Sequence, residues 1–189
     1  MNYEIVELKE KTIVGFTART SNEDPQMGTI IGGLWKQLYT PENTAKIQNR
    51  VNAYAIGLYS DYDKEGYQVT AGFEVSDAES GNGFTVKTIP AGRYAKFSVH
   101  GDMIEAVANS WKEIWETPLD RTFTGDFEEY LSQEDIDIYI NLGSAFYDKE
   151  DYDNALAVYR NALDLNPQNA KIHCNLGFLY WGKGDTDEA

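Results

Sequence analysis

Two helical segments, each built on a Trp-Lys pair, occupy the same place in two successive runs of strands. This recurrence limits the fold more than any other feature of the chain. The first, Trp35-Lys36-Gln37-Leu38-Tyr39, closes a stretch from Met27 in which Ile30, Ile31, Leu34, Trp35 and Leu38 repeat at helical spacing. The second, Trp111-Lys112-Glu113-Ile114-Trp115, lies in a helix expected over 102–116. There Asp102 is the N-cap, and Ile104, Val107, Ala108, Trp111, Ile114 and Trp115 form one apolar face. Around the first helix, residues 3–20, 53–62 and 67–76 alternate apolar and polar positions as half-buried strands do, the last two separated by a turn at Asp63 to Gly66. Around the second, residues 84–99 give two strands about Pro90-Ala91-Gly92, and 123–131 and 136–140 give two more. Both units read strand, helix, strand, strand, and an internal duplication is the simplest account. Two such units side by side form an α+β layer, an antiparallel sheet crossed by two helices, with a groove between the helices suited to a small ligand.

A hydrophobic content of 42% and an aromatic content of 13% suffice for a packed core. No apolar run reaches the roughly 20 residues of a membrane helix, and MNYEIVELKEK lacks a signal-peptide core, so no membrane contact is expected. One cysteine, Cys174, allows no internal disulfide and fits a reducing cytoplasm; it reads as a packing residue rather than a nucleophile. The net charge of -15 repels phosphate backbones and favours cationic ligands. Without a basic stripe, direct nucleic-acid binding is not expected. His100 and His173 stand apart with no clustered ligands, so neither a metal nor another cofactor is expected. Gly81-Asn82-Gly83 reads as a turn, not a phosphate loop.

The stretch Phe123 to Tyr130, FTGDFEEY, sets a carboxylate between aromatic residues on a strand, where Glu128 and Tyr130 share one face. A carboxylate is seldom buried without a partner, so Glu128 either faces water or awaits a cation. Together with Tyr59-Ser60-Asp61-Tyr62 and Ile89-Pro90-Ala91-Gly92-x-Tyr94, the Asp126-Phe127-Glu128-x-Tyr130 motif resembles the GyrI-like small-molecule-binding domain. This is the effector-binding domain of AraC-type and MerR-type multidrug transcription regulators and of integron-associated effector-binding proteins. The resemblance covers about residues 1–140. It implies an aromatic pocket in which Glu128 meets lipophilic cations, with Trp35, Tyr59, Tyr94, Trp111, Trp115 and Tyr130 as candidate ligand-binding rings. Burial among rings raises a carboxyl pKa and makes an organic cation a favourable partner, and each ring face adds about 0.5–2 kcal/mol of cation–π attraction.

From Ile136 the character changes. Asn141-Leu142-Gly143 recurs as Asn175-Leu176-Gly177 after 34 residues, the period of a tetratricopeptide (TPR) repeat. Tyr139, Leu142, Gly143 and Phe146 mark a first helix, Ala155, Tyr159 and Ala162 a second, with Gly143 and Ala155 small because the two helices cross closely there. Asn166-Pro167 reads as the N-cap and first turn of the next helix. One repeat and part of another cannot bury a solenoid core alone, so Ile172, Leu176, Leu179, Tyr180 and Trp181 need another surface to cover. Residues 136–140 fit both the last strand and the first helical turn. The strand is expected to hold through Ile140, because its loss would expose a sheet edge, with the helix starting near Asn141. The domains are thus 1–140, the effector-binding module, and 141–189, an all-α repeat segment.

Three functions remain open on these residues. The chain captures a cationic, aromatic small molecule; or it is a hydrolase of cyclopropane-bearing electrophiles, as some GyrI-like proteins are, with Glu128 as general base; or the repeat docks a protein partner, as in gyrase-inhibiting relatives. The sequence does not decide whether it is an enzyme. The apolar end of the repeat is also a surface on which a homo-oligomer can form.

Overall fold

The computed structural model describes residues 1–77, 83–143 and 152–183. The first half runs β1 (Glu4–Leu8), β2 (Lys11–Thr20), α1 (Met27–Leu38), α2 (Pro41–Lys46), β3 (Arg50–Asp63) and β4 (Gly66–Val75). The second runs β5 (Thr85–Ile89), β6 (Gly92–His100), α3 (Met103–Glu116), β7 (Asp126–Tyr130) and β8 (Asp135–Leu142), followed by α4 (Tyr152–Leu165) and α5 (Ala170–Lys183). The eight strands form one sheet in the order β1-β6-β8-β7-β3-β4-β2-β5, antiparallel at every pairing. The expected α+β duplication is present.

The halves exchange their first strands. β1 pairs with β6 of the second half, and β5 pairs with β2 of the first. Yet β1 is tied to β2 through Lys9 and Glu10 alone, and β5 to β6 through Pro90 and Ala91. A two-residue link spans only about 10 Å. Both ends of the sheet are therefore drawn together, and the sheet curls. One face closes on Val6, Leu8, Ile13, Ile56, Leu58 and Ile89, with Tyr94, Phe127 and Tyr139. The other face carries the helices. α1 lays Leu34 and Leu38 against Val69, Ala71 and Phe73, and α3 lays Ile114 against Phe97, Val99, Ile136 and Ile138. Asp102 caps α3 as expected, accepting from the backbone N–H of Ile104 and Glu105.

Several expectations are corrected. The strand expected from Phe123 starts only at Asp126, because Phe123 takes a left-handed conformation (φ 57°) that breaks extension. Ile104, expected on the apolar face of α3, is 83% exposed: it sits in the first turn, away from the sheet. The last strand holds through Ile140 as expected and runs two residues further, and the helix expected near Asn141 falls largely outside the described residues. Asn141 and Leu142 continue β8, paired with Tyr94 and Arg93, since a full ladder with β6 satisfies more backbone than an early helical turn. Tyr139 accordingly packs in the sheet core, and Phe146 lies outside the described residues, as does most of the Gly81-Asn82-Gly83 turn. Nor do Asn166 and Pro167 open the next helix. Asn166 closes α4 by donating to the Ala162 carbonyl, and Asn169 caps α5, accepting from Ile172 N–H at 3.3 Å.

The repeat helices do find a surface. Leu156, Tyr159, Ala162, Ile172, Leu176 and Leu179 are buried in the cluster that holds Tyr62, Tyr67 and Phe123 of the first module. Asn161 donates to the Tyr62 carbonyl at 3.2 Å, and Asn175 donates to the Asp120 carboxylate and to Tyr159 Oη. No described helix is long and apolar enough to cross a membrane.

Candidate ligand-binding site

The site is built on β7. Alternation turns Asp126, Glu128 and Tyr130 toward the helices and Phe127 and Glu129 toward the other face. Both inward carboxylates are buried, Asp126 at 0% and Glu128 at 2% exposure, but they are satisfied in opposite ways. Asp126 accepts from Asn141 N–H at 2.8 Å, from the Tyr62 hydroxyl at 3.3 Å and from Arg121 Nη2 at 2.5 Å. Glu128 accepts only from neutral groups: Tyr59 hydroxyl at 2.9 Å and Trp111 Nε1 at 2.5 Å on Oε1, and Tyr130 hydroxyl at 2.6 Å on Oε2. Among the described residues no cation stands within ion-pair distance of it. Burial pushes the Glu128 carboxyl above its ordinary range, with the three hydrogen bonds pulling the other way. The Tyr59 hydroxyl is pushed well up by the same burial and by Glu128 itself.

Room for this carboxylate comes from across the strand. Glu128 faces Gly57 of β3, and a Cβ there would stand 3.0 Å from Glu128 Oε2 and 3.2 Å from Trp35 Cζ2. The Trp35 ring thus lies over Gly57 beside the carboxylate, edge-on to Tyr130 at 5.0 Å. In front of it a cavity of about 290 Å³ runs between α1 and α3. Tyr59, Tyr62 and Tyr67 form its sheet wall, Trp111 and Trp115 its α3 wall, and Met27 and Ile31 its α1 wall. Tyr59 and Trp111 meet edge to face at 5.2 Å. Glu128 does not itself border this cavity, but these two rings do, and both donate to it.

The structure thus gathers Glu128, Trp35, Tyr59, Trp111 and Tyr130 around one point, with the half-exposed Trp115 at the rim. It does not bring Tyr94 there. Tyr94 is fully buried on the opposite face, against Phe127 and Tyr139, with its hydroxyl on the Pro90 carbonyl at 2.8 Å. Tyr62, Tyr67, Met27 and Ile31 were not singled out in the sequence as groove residues, although Tyr62 closes the Tyr59-to-Tyr62 motif and Ile31 lies on the α1 apolar face. Among the described residues no group of His, Cys, Asp and Glu is placed to hold a metal ion.

Residues 4–142 match the family of integron-associated effector-binding proteins. The chain belongs to that family. Residues 143–184 match a TPR repeat. Over 135 residues the chain is 35% identical to YobU of Bacillus subtilis (strain 168), a protein named as a transcriptional regulator, covering 67% of this chain and 84% of YobU. The effector-binding module has the fold of an integron cassette protein from the mobile metagenome of Vibrio cholerae, with a TM-score of 0.62 at 28% identity over 74% of this chain and 94% of that one. SAV2435, solved with tetraphenylphosphonium bound, shares the fold at a TM-score of 0.63 and 19% identity, over 74% of this chain and 93% of its own.

A pH dependence follows from the buried carboxyl of this effector-binding module. Its folded-state pKa lies above the unfolded one, so its contribution to stability is fully present below the ordinary carboxylate range and is lost as pH rises through the raised value. Glu128→Gln is therefore expected to be more stable than wild type at neutral pH, with the gap closing toward about pH 4. Urea unfolding of both proteins across that range checks it. A gap that stays constant would mean that the carboxyl titrates alike in both states.

Proposed function

We propose that the effector-binding module captures a lipophilic, aromatic small-molecule cation in the groove, with Glu128 as counter-charge. One observation carries this reading. Of two buried carboxylates on the same face of β7, Asp126 has its own internal cation in Arg121, whereas Glu128 has three neutral donors. A buried carboxylate without a cation is costly to the fold, and an organic cation that brings its own apolar surface offsets that cost. The rings of Tyr59, Trp111, Trp35 and Tyr130 add cation–π attraction and fix orientation, and Trp115 guards the rim. The tetraphenylphosphonium in SAV2435 is a ligand of this chemistry on the same fold. The outward surface of α4 and α5 remains for a protein partner through which binding is reported, in keeping with the regulator name of YobU. A cytoplasmic setting fits the exposed, unpaired Cys174.

The test titrates tetraphenylphosphonium and neutral triphenylphosphine oxide into wild type and Glu128→Gln, followed by tryptophan fluorescence. The cation is expected to bind wild type and to lose about 10- to 100-fold on Glu128→Gln, while the neutral compound responds little to the substitution. Equal loss for both compounds would leave Glu128 a packing residue. A neutral cyclopropane electrophile that returns hydrolysed from wild type alone would assign Glu128 as a general base instead.

A further inference from the structure

A second cavity, about 630 Å³, adjoins the groove where the segment after α3 faces the β3–β4 turn and the link between α4 and α5. Asn22, Tyr62, Tyr67 and Trp115 border both spaces, so the two share one wall. Its outer side is supplied by the repeat segment, at Leu165, Asn166 and Asn169.

Arg121 lines this cavity and is only 5% exposed. A guanidinium has five N–H donors in a fixed fork. Nη2 is taken by Asp126, but Nε and Nη1 are buried without a hydrogen-bond partner. The rings of Trp115 and Phe123 lie 4.2 and 4.6 Å from Cζ. They hold the group in place electrostatically, yet accept none of its N–H hydrogens in the manner of an oxygen lone pair. Unsatisfied donors on a buried cation are expensive, and such groups in native structures call for a partner. The chemistry of that partner is constrained. Asp126 already balances the charge, and the cavity is bordered by four further acids, Glu23, Asp63, Glu65 and Glu116, against one other cation, Lys64, which lies 3.7 Å from Asp164, so a second anion is repelled. A neutral acceptor, such as a carbonyl or amide oxygen, meets no such penalty. The half-exposed Trp115 lies over the guanidinium and borders both spaces, so it marks where the groove and this cavity meet.

We propose that this cavity is a second subsite, one that takes a neutral hydrogen-bond acceptor at the far end of an elongated aromatic cation seated in the groove. Arg121 is the donor and Asn166 of the repeat segment the outer wall, so the repeat helps to choose the ligand. The proposal rests on the groove reading above.

Three probes test it in the full chain: tetraphenylphosphonium, the same cation carrying a short alkyl arm that ends in an N-methylamide, and its isostere ending in a branched alkyl group. Wild type is expected to bind the amide probe about tenfold more tightly than the alkyl probe. That ratio should fall to about one in Arg121→Met, and also in Asn166→Trp, whose indole fills the cavity from outside. Should Arg121→Met fail to fold, Asn166→Trp alone decides. If tetraphenylphosphonium binds but the two armed probes bind alike, the second subsite is overturned and the groove stands. If the amide advantage survives in both variants, the acceptor is met elsewhere and the proposal is equally overturned. If none of the three cations binds, the groove reading fails and the subsite fails with it.

Discussion

Asp126→Ala is expected to lose about 3–5 kcal/mol of unfolding free energy, the largest effect of any single truncation near the site. Asp126 is fully buried and is the only residue among those described that ion-pairs with Arg121. Without it the guanidinium loses its last hydrogen-bond acceptor while still enclosed by Trp115 and Phe123, and Tyr62 and the Asn141 N–H lose theirs. The cost is therefore that of an uncompensated buried charge, not of one hydrogen bond. Urea unfolding at neutral pH measures it. The double variant Asp126→Leu with Arg121→Met should recover much of the loss, because a buried ion pair replaced by apolar groups of similar size is often neutral or better. A loss of under about 1 kcal/mol in Asp126→Ala would mean that water reaches the guanidinium and that the pair is a surface one in disguise.

Gly143→Ala is expected to cost a similar amount, about 3–5 kcal/mol, the range for losing a buried aromatic, but at a different place. A Cβ at this position would stand 2.0 Å from Tyr159 Oη, 2.4 Å from Cζ and 2.5 Å from Cε1. Neither side can yield cheaply. Gly143 is anchored by its N–H on the Asp120 carbonyl at 3.0 Å directly after the paired end of β8, and Tyr159 is fully buried. The helix must give way, so α4 and α5 lift from the sheet while the strands stay. Hydrogen exchange reads this directly, with protection lost over 156–179 and kept in β3 and β4. Tyr159→Phe cannot rescue, since ring carbons clash as well; Tyr159→Leu in the same background should restore part of the docking. Unchanged protection of α4 would sink the account.

What could be read in advance is what local pattern encodes. Helical spacing located α1 and α3, Asp102 announced its cap, and alternation found the strands of both halves. The exchange of β1 and β5 was not legible, because no local pattern in Glu4–Leu8 names a partner some ninety residues away at Gly92–Lys96. Alternation tells which residues share a face but not which face meets the helices. That is why Tyr94, as aromatic as Tyr59, fell on the wrong side of the sheet. The 34-residue recurrence identified the repeat, yet at its first copy the ladder to Tyr94 and Arg93 took Asn141 and Leu142 into β8. It marked Gly143 as a point of close approach, and the ring of Tyr159 on α4 does approach it closely, directly after the end of β8. Arg121 and Gly57 left no signal. One sits in an aperiodic segment, the other reads as any small strand residue, and the importance of each comes only from what the fold sets opposite it.

Gly57 has a consequence for the symmetry of the molecule. Where the two copies of the ancestral unit meet, β3 lies against β7, and an unmodified duplication would tend to set like side chains in like surroundings on either side of that seam. Two carboxylates facing one another there would repel across about 5 Å. The chain resolves this by division of labour: one copy contributes the acid, and the other contributes nothing but space. Two equivalent halves therefore share a single buried acid opposite Gly57 at their seam. On the function proposed above, one such acid per chain means one cation per chain, received in one orientation rather than two.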